Sequence, residues 1–362
     1  MSRQSKDLLD RAIEEEIQKH NTFPGAELLI TDSDSTLKHA SYGLAQEKPS
    51  RRAMHKDTIF DLASLTKVIV TASSAMKLVE EGSWHLRDRV SRHLPRLEDR
   101  EFTVEHLLTH TAGLPPWVDL FSGSSNPGEA RDRLYTEDWP ISTSILPPGE
   151  RVIYSDIGFI LLGQGIEAVS NQSLADFARN HIFEPLEMNS SCFCPTEKTN
   201  QPFAATEEIE SRGGVLTGTV HDENAHALGG VAGHAGLFST ASDLGKYARM
   251  LLRSGRGAGK SKVLSARAVE KMTSLQTKDK GSARGLGWKL QGDSSPSAGG
   301  LLSDESFGHT GFTGGSLWLD PRQDLGIVFL TNRVHPSRTR GTGRIQRIRA
   351  KVHNCTSATF GS

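Results

Sequence analysis

Two strand–turn–strand signals, one near each end of the chain, restrict the fold more than any other feature. Gly315-Ser-Leu-Trp-Leu-Asp320 and Leu325-Gly-Ile-Val-Phe-Leu-Thr331 alternate like paired strands around the turn Pro321-Arg-Gln-Asp324. Near the start, Ala26–Thr31 and Leu37–Tyr42 also read as strands, and the Asp32-Ser-Asp-Ser35 between them is turn chemistry, so they form a β-hairpin. Helical periodicity fills much of the rest. Ser5 to His20 carries Leu8, Leu9, Ile13 and Ile17 on one stripe and Glu14, Glu15 and Glu16 on the opposite face. Thr66 to Glu81 places Val68, Ile69, Ala72, Met76 and Val79 on a buried stripe and stops at Gly82. Residues 85–210 are mostly helical patches, Ile157 to Val169 among them, and long loops broken at Pro115-Pro116 and Pro147-Pro148. The glycine-rich run Gly229–Gly236 precedes a helix from Ala241 to Leu252.

The chain has 362 residues, enough for two or three lobes at roughly 100–200 residues each. Its 42 basic residues against 43 acidic ones leave a net charge of −1, which argues against nucleic acid or an anionic membrane as the main partner. The charge is unevenly spread. After Asp324 no acidic residue occurs, while Arg333, Arg338, Arg340, Arg344, Arg347, Arg349 and Lys351 are basic. Ile345, Ile348 and Val352 fall at near-helical spacing there, so a terminal helix beside the acidic first helix is expected rather than a nucleic-acid arm. Three cysteines cannot build a disulfide framework, and the N-terminus lacks a signal-peptide apolar region, so a reduced, cytoplasmic protein is expected. Runs such as Val68–Val70 and Phe159–Leu162 are too short to span a bilayer.

Chemistry enters through Ser-x-x-Lys, which sets a hydroxyl and an amine one helical turn apart. Three copies occur. Ser35-Thr-Leu-Lys38 sits in the hairpin turn, and Ser74-Ala-Met-Lys77 lies inside a helix with its amides already bonded. Ser64-Leu-Thr-Lys67 instead follows the apolar Ile59–Ala63 and opens the Thr66–Glu81 helix, where unsatisfied N–H groups and the positive dipole end favour an oxyanion. A helix N-cap is the bland alternative for Ser64. Tyr154-Ser-Asp156 lies where a loop enters the Ile157 helix, and a tyrosine beside cations can act as a base. Gly308-His-Thr-Gly311, read as a strand start leading into Phe312-Thr-Gly-Gly-Ser-Leu-Trp318, offers a polar wall with backbone N–H groups facing a substrate.

These three elements in this order resemble the serine β-lactamase and penicillin-binding-protein superfamily, most closely the class C β-lactamase-like and family VIII carboxylesterase-like proteins. Leu107–Leu114, Val220–Ala225 and Gly230–Ser239 are similar to it as well, so the resemblance runs from about residue 8 to about 335. It implies an α/β (α+β) β-lactamase/transpeptidase-like fold. Residues 1–60 and 215–362 would form an antiparallel sheet flanked by helices, residues 61–214 a mostly helical domain, and the active site would lie between them. By resemblance Ser64 is the acylated nucleophile, Lys67 its proton partner and Tyr154 the base. Ser64 and Phe312 would supply the oxyanion N–H groups, with Asp156, His309, Thr310 and Gly311 binding substrate. No cofactor and no metal are implied.

Two positions depart from the family pattern. Asp156 stands where an Asn is usual, and His309 where a Lys is usual. A largely neutral histidine is a weak carboxylate anchor, and an aspartate adds negative charge. A less positive cleft is therefore expected, with a carboxylesterase acting on small neutral esters as the leading expectation. β-Lactamase or D,D-peptidase activity is the alternative, and a non-catalytic binding module is opposed by the intact Ser64, Lys67 and Tyr154. Other signals are read as structural. Ser254-Gly-Arg-Gly-Ala-Gly-Lys-Ser261 resembles a phosphate-binding loop without its first glycine and reads as a flexible loop. His106 and His110, and His221 and His226 around Asp222, lack a full ligand pattern, Cys192-Phe-Cys194 is isolated, and no Gly-x-Ser-x-Gly elbow occurs.

Overall fold

The computed structural model describes residues 3–98, 100–136, 145–195, 201–259, 261–278, 280–292 and 297–361. Both expected hairpins are present, and they meet. Strand Gly25–Thr31 pairs antiparallel with Thr36–Gln46 on one side and with Leu325–Thr331 on the other, Ala26 opposite Thr331 and Ile30 opposite Ile327. The first and last long strands are thus neighbours at the centre of a seven-stranded antiparallel sheet. Its order is Arg52–Ala53, Thr36–Gln46, Gly25–Thr31, Leu325–Thr331, Ser316–Asp320, Phe307–Thr310 and Lys289–Leu290.

Side chains alternate across a strand, so each central strand serves two cores. Leu28, Ile30, Ile327 and Phe329 pack with Leu9 and Ile13 of helix Arg3–Gln18 and with Ile345, Ile348 and Val352 of helix Ile345–Phe360. Leu29, Val328 and Leu330 face the other way, toward helix Ala241–Leu252. With both faces covered, Gly25–Thr31 and Leu325–Thr331 are buried along their whole lengths. Each fully buried aliphatic side chain contributes about 1.5–3 kcal/mol.

The basic tail is the expected terminal helix, and it lies against the acidic first one. Arg344 pairs with Glu16 at 2.9 Å, and Lys351 approaches Glu15 at 4.0 Å. Leu8 departs from the expected stripe. It is 56% exposed, because the buried line runs through Leu9 and Ile13 at a spacing of four, and Leu8 falls a residue's turn away from it.

The Thr66–Glu81 segment differs more. It enters as a 3₁₀ turn at Ala63–Leu65, continues as a π-helical stretch over Lys67–Ala72, and becomes α-helical only over Ser73–Glu80. Wide turns of this kind form where hydroxyls and packing compete with the regular ladder. Here Ser73 Oγ reaches back to Val68 O at 3.1 Å, and Thr71 Oγ1 leaves the helix for Gly233 O at 2.6 Å. Every residue of Lys67–Ala72 is buried, so the segment has no solvent face and the one-sided stripe does not apply.

Helix Asp156–Ser170 is capped by Ser155, whose Oγ accepts from Gly158 N–H, and packs on the Lys67–Ala72 turn. Ser254 to Gly259 form a turn after helix Ala241–Leu252, with Gly255 N–H bonded to Met250 O, and Lys260 lies outside the described residues. Among the described residues no helix is long and apolar enough to cross a membrane.

Candidate functional site

Asp61 organises the approach to Ser64. Its Oδ1 accepts from Ala63 N–H at 2.9 Å, its Oδ2 from His221 N–H at 2.7 Å, and its backbone oxygen from Thr313 Oγ1 at 2.8 Å. Burial pushes the Asp61 carboxyl above the ordinary aspartate range, against the pull of the two N–H donors. Ala63 sits at φ 46°, the left-handed region, at a cost of about 1–2 kcal/mol. That strained residue turns the chain directly into Ser64. The expected N-terminal position of Ser64 is therefore realised as a 3₁₀ turn and not as the first turn of an α-helix.

Lys67 is fully buried beneath Ser64. Its Nζ donates to Ser64 Oγ at 3.0 Å and to His234 O at 3.0 Å. It forms an ion pair with Asp156 Oδ1 at 2.7 Å. The ammonium also lies 5.1 Å from the centre of the Tyr154 ring and 5.9 Å from that of Phe159. Burial works to lower the lysine pKa. The Asp156 carboxylate, followed by Tyr154, outweighs it, and the ammonium is held above the ordinary lysine range.

Tyr154 is wedged between two histidines. His110 lies 4.6 Å from its ring centre and His309 6.0 Å away in a stacked arrangement. Both histidines are buried. His110 Nδ1 accepts from Ser155 N–H at 3.1 Å, and His309 Nδ1 lies 3.0 Å from Thr310 O. Burial drives both imidazoles well below the ordinary histidine range, with Arg284 the next cause for His110 and Lys289 for His309. His309 is thus a neutral wall at physiological pH.

Two cations that the expectation of a less positive cleft did not include come from elsewhere in the chain. Arg284 and Lys289 line the same cleft as Ser64, Tyr154 and His309, with the Arg284 guanidinium 5.8 Å from the Tyr154 ring. Lys289 pairs with Gly308 across the sheet, so it stands beside His309. Asp156, meanwhile, pairs with Lys67.

His309 and Thr310 close strand Phe307–Thr310 rather than start one, because the chain turns at Gly311 before strand Ser316–Asp320. That turn is pressed onto the nucleophile segment. A Cβ on Gly311 would lie 2.6 Å from Leu62 O, so only glycine allows this approach, and Thr313 is already tied to Asp61. From the C-terminal helix, buried Arg349 donates to Gly311 O and Gly315 O at 2.8 Å and to Gly314 O at 3.2 Å. Arg333 donates to Phe312 O at 2.8 Å and lies 5.2 Å from the Phe312 ring, which is 52% exposed. Ala63, Leu65 and Gly311 N–H groups are all engaged, whereas among the described residues none accepts from Ser64 N–H or Phe312 N–H. These are the two donors expected to face an oxyanion.

The cleft so formed has a volume of about 390 Å³, with Thr342, Ile345 and Gln346 on its far wall. The other two Ser-x-x-Lys copies do not enter it. Ser35 bonds Asp32 in the exposed hairpin turn while Lys38 pairs with Asp10 at 2.6 Å. Ser74 is buried, and Lys77 faces Glu80 and Glu81. Sequence reasoning did not assign His110, Arg284, Lys289 or Arg349 to the site. His110 stood in the family-like stretch Leu107–Leu114, a signal that could have found it. Arg284 and Lys289 carry no local signal, because only the sheet pairing brings them to His309. Among the described residues no group of three His, Cys, Asp or Glu side chains could hold a metal.

Comparison with known proteins gives the family and the fold. A sequence profile of the family described as Beta-lactamase matches residues 10–350. A protein of Escherichia coli provisionally named D-alanyl-D-alanine carboxypeptidase is 31% identical over 366 residues, covering 90% of this chain and 82% of the relative. The N-acetylmuramyl-L-alanine amidase of Bacillus subtilis is 30% identical over 363 residues, covering 90% and 80%. The octameric penicillin-binding protein homologue from Pyrococcus abyssi superposes with a TM-score of 0.75 at 25% identity, covering 97% of this chain and 78% of that one.

Proposed function

The chain belongs to the β-lactamase family, and from that membership and the cleft geometry we propose that it hydrolyses amide or ester bonds of acyl donors bearing a free carboxylate, through an acyl-enzyme on Ser64. Ser64 Oγ attacks the acyl carbonyl carbon while its proton passes to the phenolate oxygen of Tyr154, which becomes the phenol. Ser64 N–H and Phe312 N–H hold the developing oxyanion. Lys67, kept as an ammonium by Asp156, donates to Ser64 Oγ and favours the negative charge that builds there. Tyr154 returns the proton to the leaving group, and a water activated by the same side chain releases the acyl group.

The observation that carries the carboxylate preference is the pair Arg284 and Lys289 in the cleft beside a neutral His309. Charge-assisted bonds to a carboxylate are among the stronger polar contacts available to a protein. The relative named a carboxypeptidase agrees with this preference by name, and the one named an amidase agrees with the bond class alone. The test compares an N-acyl-D-alanyl-D-alanine peptide, the same peptide with an amidated C-terminus, and a short neutral nitrophenyl ester. Turnover of the free acid that falls sharply on amidation supports the reading. Equal rates for acid and amide would remove the carboxylate from it.

A second reading, a carboxylesterase on small neutral esters, is favoured by one observation. His309, the position that contributes a lysine in the family pattern, is buried and neutral. The nitrophenyl ester decides between the two, since this reading requires it to be the best substrate of the set.

A further inference from the structure

Lys67 Nζ has a partner that belongs to neither the nucleophile segment nor the Tyr154 loop. It donates to the backbone oxygen of His234, 3.0 Å away, in the glycine-rich run before strand Leu237–Ser239. A backbone carbonyl is a useful acceptor only if its segment is held still, and this one is held from both sides. Gly233 O accepts Thr71 Oγ1 at 2.6 Å, and a Cβ on Gly233 would meet Phe159 O at 2.0 Å, so the run lies flat against helix Asp156–Ser170. Leu237 N–H bonds Thr66 Oγ1 at 3.2 Å and Leu237 O accepts Leu62 N–H at 3.0 Å.

Between those anchors the His234 ring is inserted into the interior, 1% exposed, with one polar contact. Its Nε2 lies 2.8 Å from Asp222 Oδ1, and its Nδ1 is buried without a partner among the described residues. A carboxylate only accepts, so Nε2 carries the proton. Asp222 is itself fixed, because its Oδ1 also accepts Ala225 N–H at 2.8 Å. Burying an imidazole to satisfy only one of its two nitrogens costs stability. The ring's evident consequence is that a side chain bonded to Asp222 fixes the residue whose carbonyl receives Lys67.

We propose that Asp222 and His234 are positioning residues for the Lys67 ammonium: the Asp222–His234 bond locks the His234 carbonyl at the distance that holds Nζ beneath Ser64 Oγ. The proposal rests on the reading of Ser64 as nucleophile with Lys67 as its partner. The pair touches no substrate and acts only through Lys67.

The test is the acylation burst with a nitrophenyl ester, measured with KM and thermal stability for a small set of variants. His234→Ala is expected to slow acylation by about 100-fold, the scale of a misplaced reacting group, with KM little changed. His234→Gln, whose amide can donate to Asp222 as Nε2–H does, is expected to recover most of the loss. In a Lys67→Ala background, His234→Ala is expected to cost nothing more. If His234→Ala does not fold, His234→Met keeps the buried volume without the donor and is expected to show the same loss. An unimpaired His234→Ala or His234→Met, a Gln variant no better than Ala, or an equal loss with and without Lys67 would each overturn the proposal. Hydrolysis retained by Ser64→Ala would defeat the underlying reading instead. An inactive Ser64→Ala beside an unimpaired His234→Ala defeats only the positioning role.

Discussion

Asp156 Oδ1 stands 2.7 Å from Lys67 Nζ, a carboxylate set against an ammonium that has no exposure to solvent. Breaking a buried ion pair leaves the surviving charge uncompensated, which makes this contact a constraint on both protonation and stability. It also gives Asp156 a charge partner inside the site.

Asp156→Asn removes the strongest influence raising the Lys67 pKa and leaves burial, which favours the neutral amine. The ammonium then titrates at lower pH. The alkaline limb of the pH–rate profile is expected to shift downward, and an unmoved limb would argue that ammonium donation to Ser64 is not required. Because the wild-type pKa is raised, stability from the pair is present at neutral pH and is lost as pH rises through the Lys67 pKa. Removing the carboxylate should cost about 3–5 kcal/mol near neutrality, read as a lower denaturant midpoint.

Lys289→Ala should raise KM for a carboxylate-bearing peptide by about tenfold or more, since a hydrogen bond to a charged group contributes about 1.5–3 kcal/mol. Turnover of a neutral ester should stay near the wild-type value. A matched change on both substrates would place Lys289 in a structural role.

Introducing the family's lysine by His309→Lys is expected to lower activity on every substrate. His309 is buried beside Tyr154 and already feels Lys289, Lys67 and Arg284, so another cation there would be desolvated and repelled. Improved turnover of carboxylate substrates by this variant would contradict that account of the site.

Arg349→Met leaves the carbonyls of Gly311, Gly314 and Gly315 without their shared donor. Gly311 O still accepts Gly314 N–H and Gly315 O still accepts Gly311 N–H, so among the described residues only Gly314 O loses its donor outright, and a loss of about 1–3 kcal/mol in stability is expected. Because those carbonyls set the turn that carries Phe312 N–H, kcat should fall more than KM rises. Calorimetry and steady-state kinetics on the same preparation check both parts.

Acid sensitivity follows from His353. Fully buried, with Nδ1 on Ser297 O at 2.9 Å and Nε2 beside Ser316 Oγ at 3.2 Å, it is pushed by burial down to about 3. An unfolded histidine titrates near 6.5, so its contribution is complete above that pH and is lost as pH falls toward 3, amounting to about 5 kcal/mol over the full interval. The pH dependence of the melting temperature below pH 6.5 should flatten in His353→Gln, and an unchanged slope would assign the acid loss to other groups.

Much of this architecture is written locally. The hairpins at 26–42 and 315–331 show as alternation, and helix Ala241–Leu252 has its observed bounds because Thr240 caps it and its apolar stripe is clean. Ser64, Lys67, Tyr154 and His309 stand out because reactive residue types sit in short patterns at element boundaries. What escaped depends on long-range pairing. Arg284 and Lys289 reach the cleft only because Lys289 pairs with Gly308, and Arg349 reads as one more charge on a basic helix until that helix is seen against Gly311–Gly315. The π-helical turn at Lys67–Ala72 was equally hidden, since its cause is the bonding of Thr71 to Gly233 and of Ser73 to Val68.

The central claim is a covalent acyl-enzyme on Ser64. Its most direct test is intact-protein and peptide mass spectrometry after brief exposure to an activated acyl donor, with a labelled penicillin in parallel. The expected result is a single adduct with the mass of the acyl group on the peptide containing Ser64, absent from Ser64→Ala. Substrate turnover with no adduct under rapid quench, or an adduct that persists in Ser64→Ala, would contradict it.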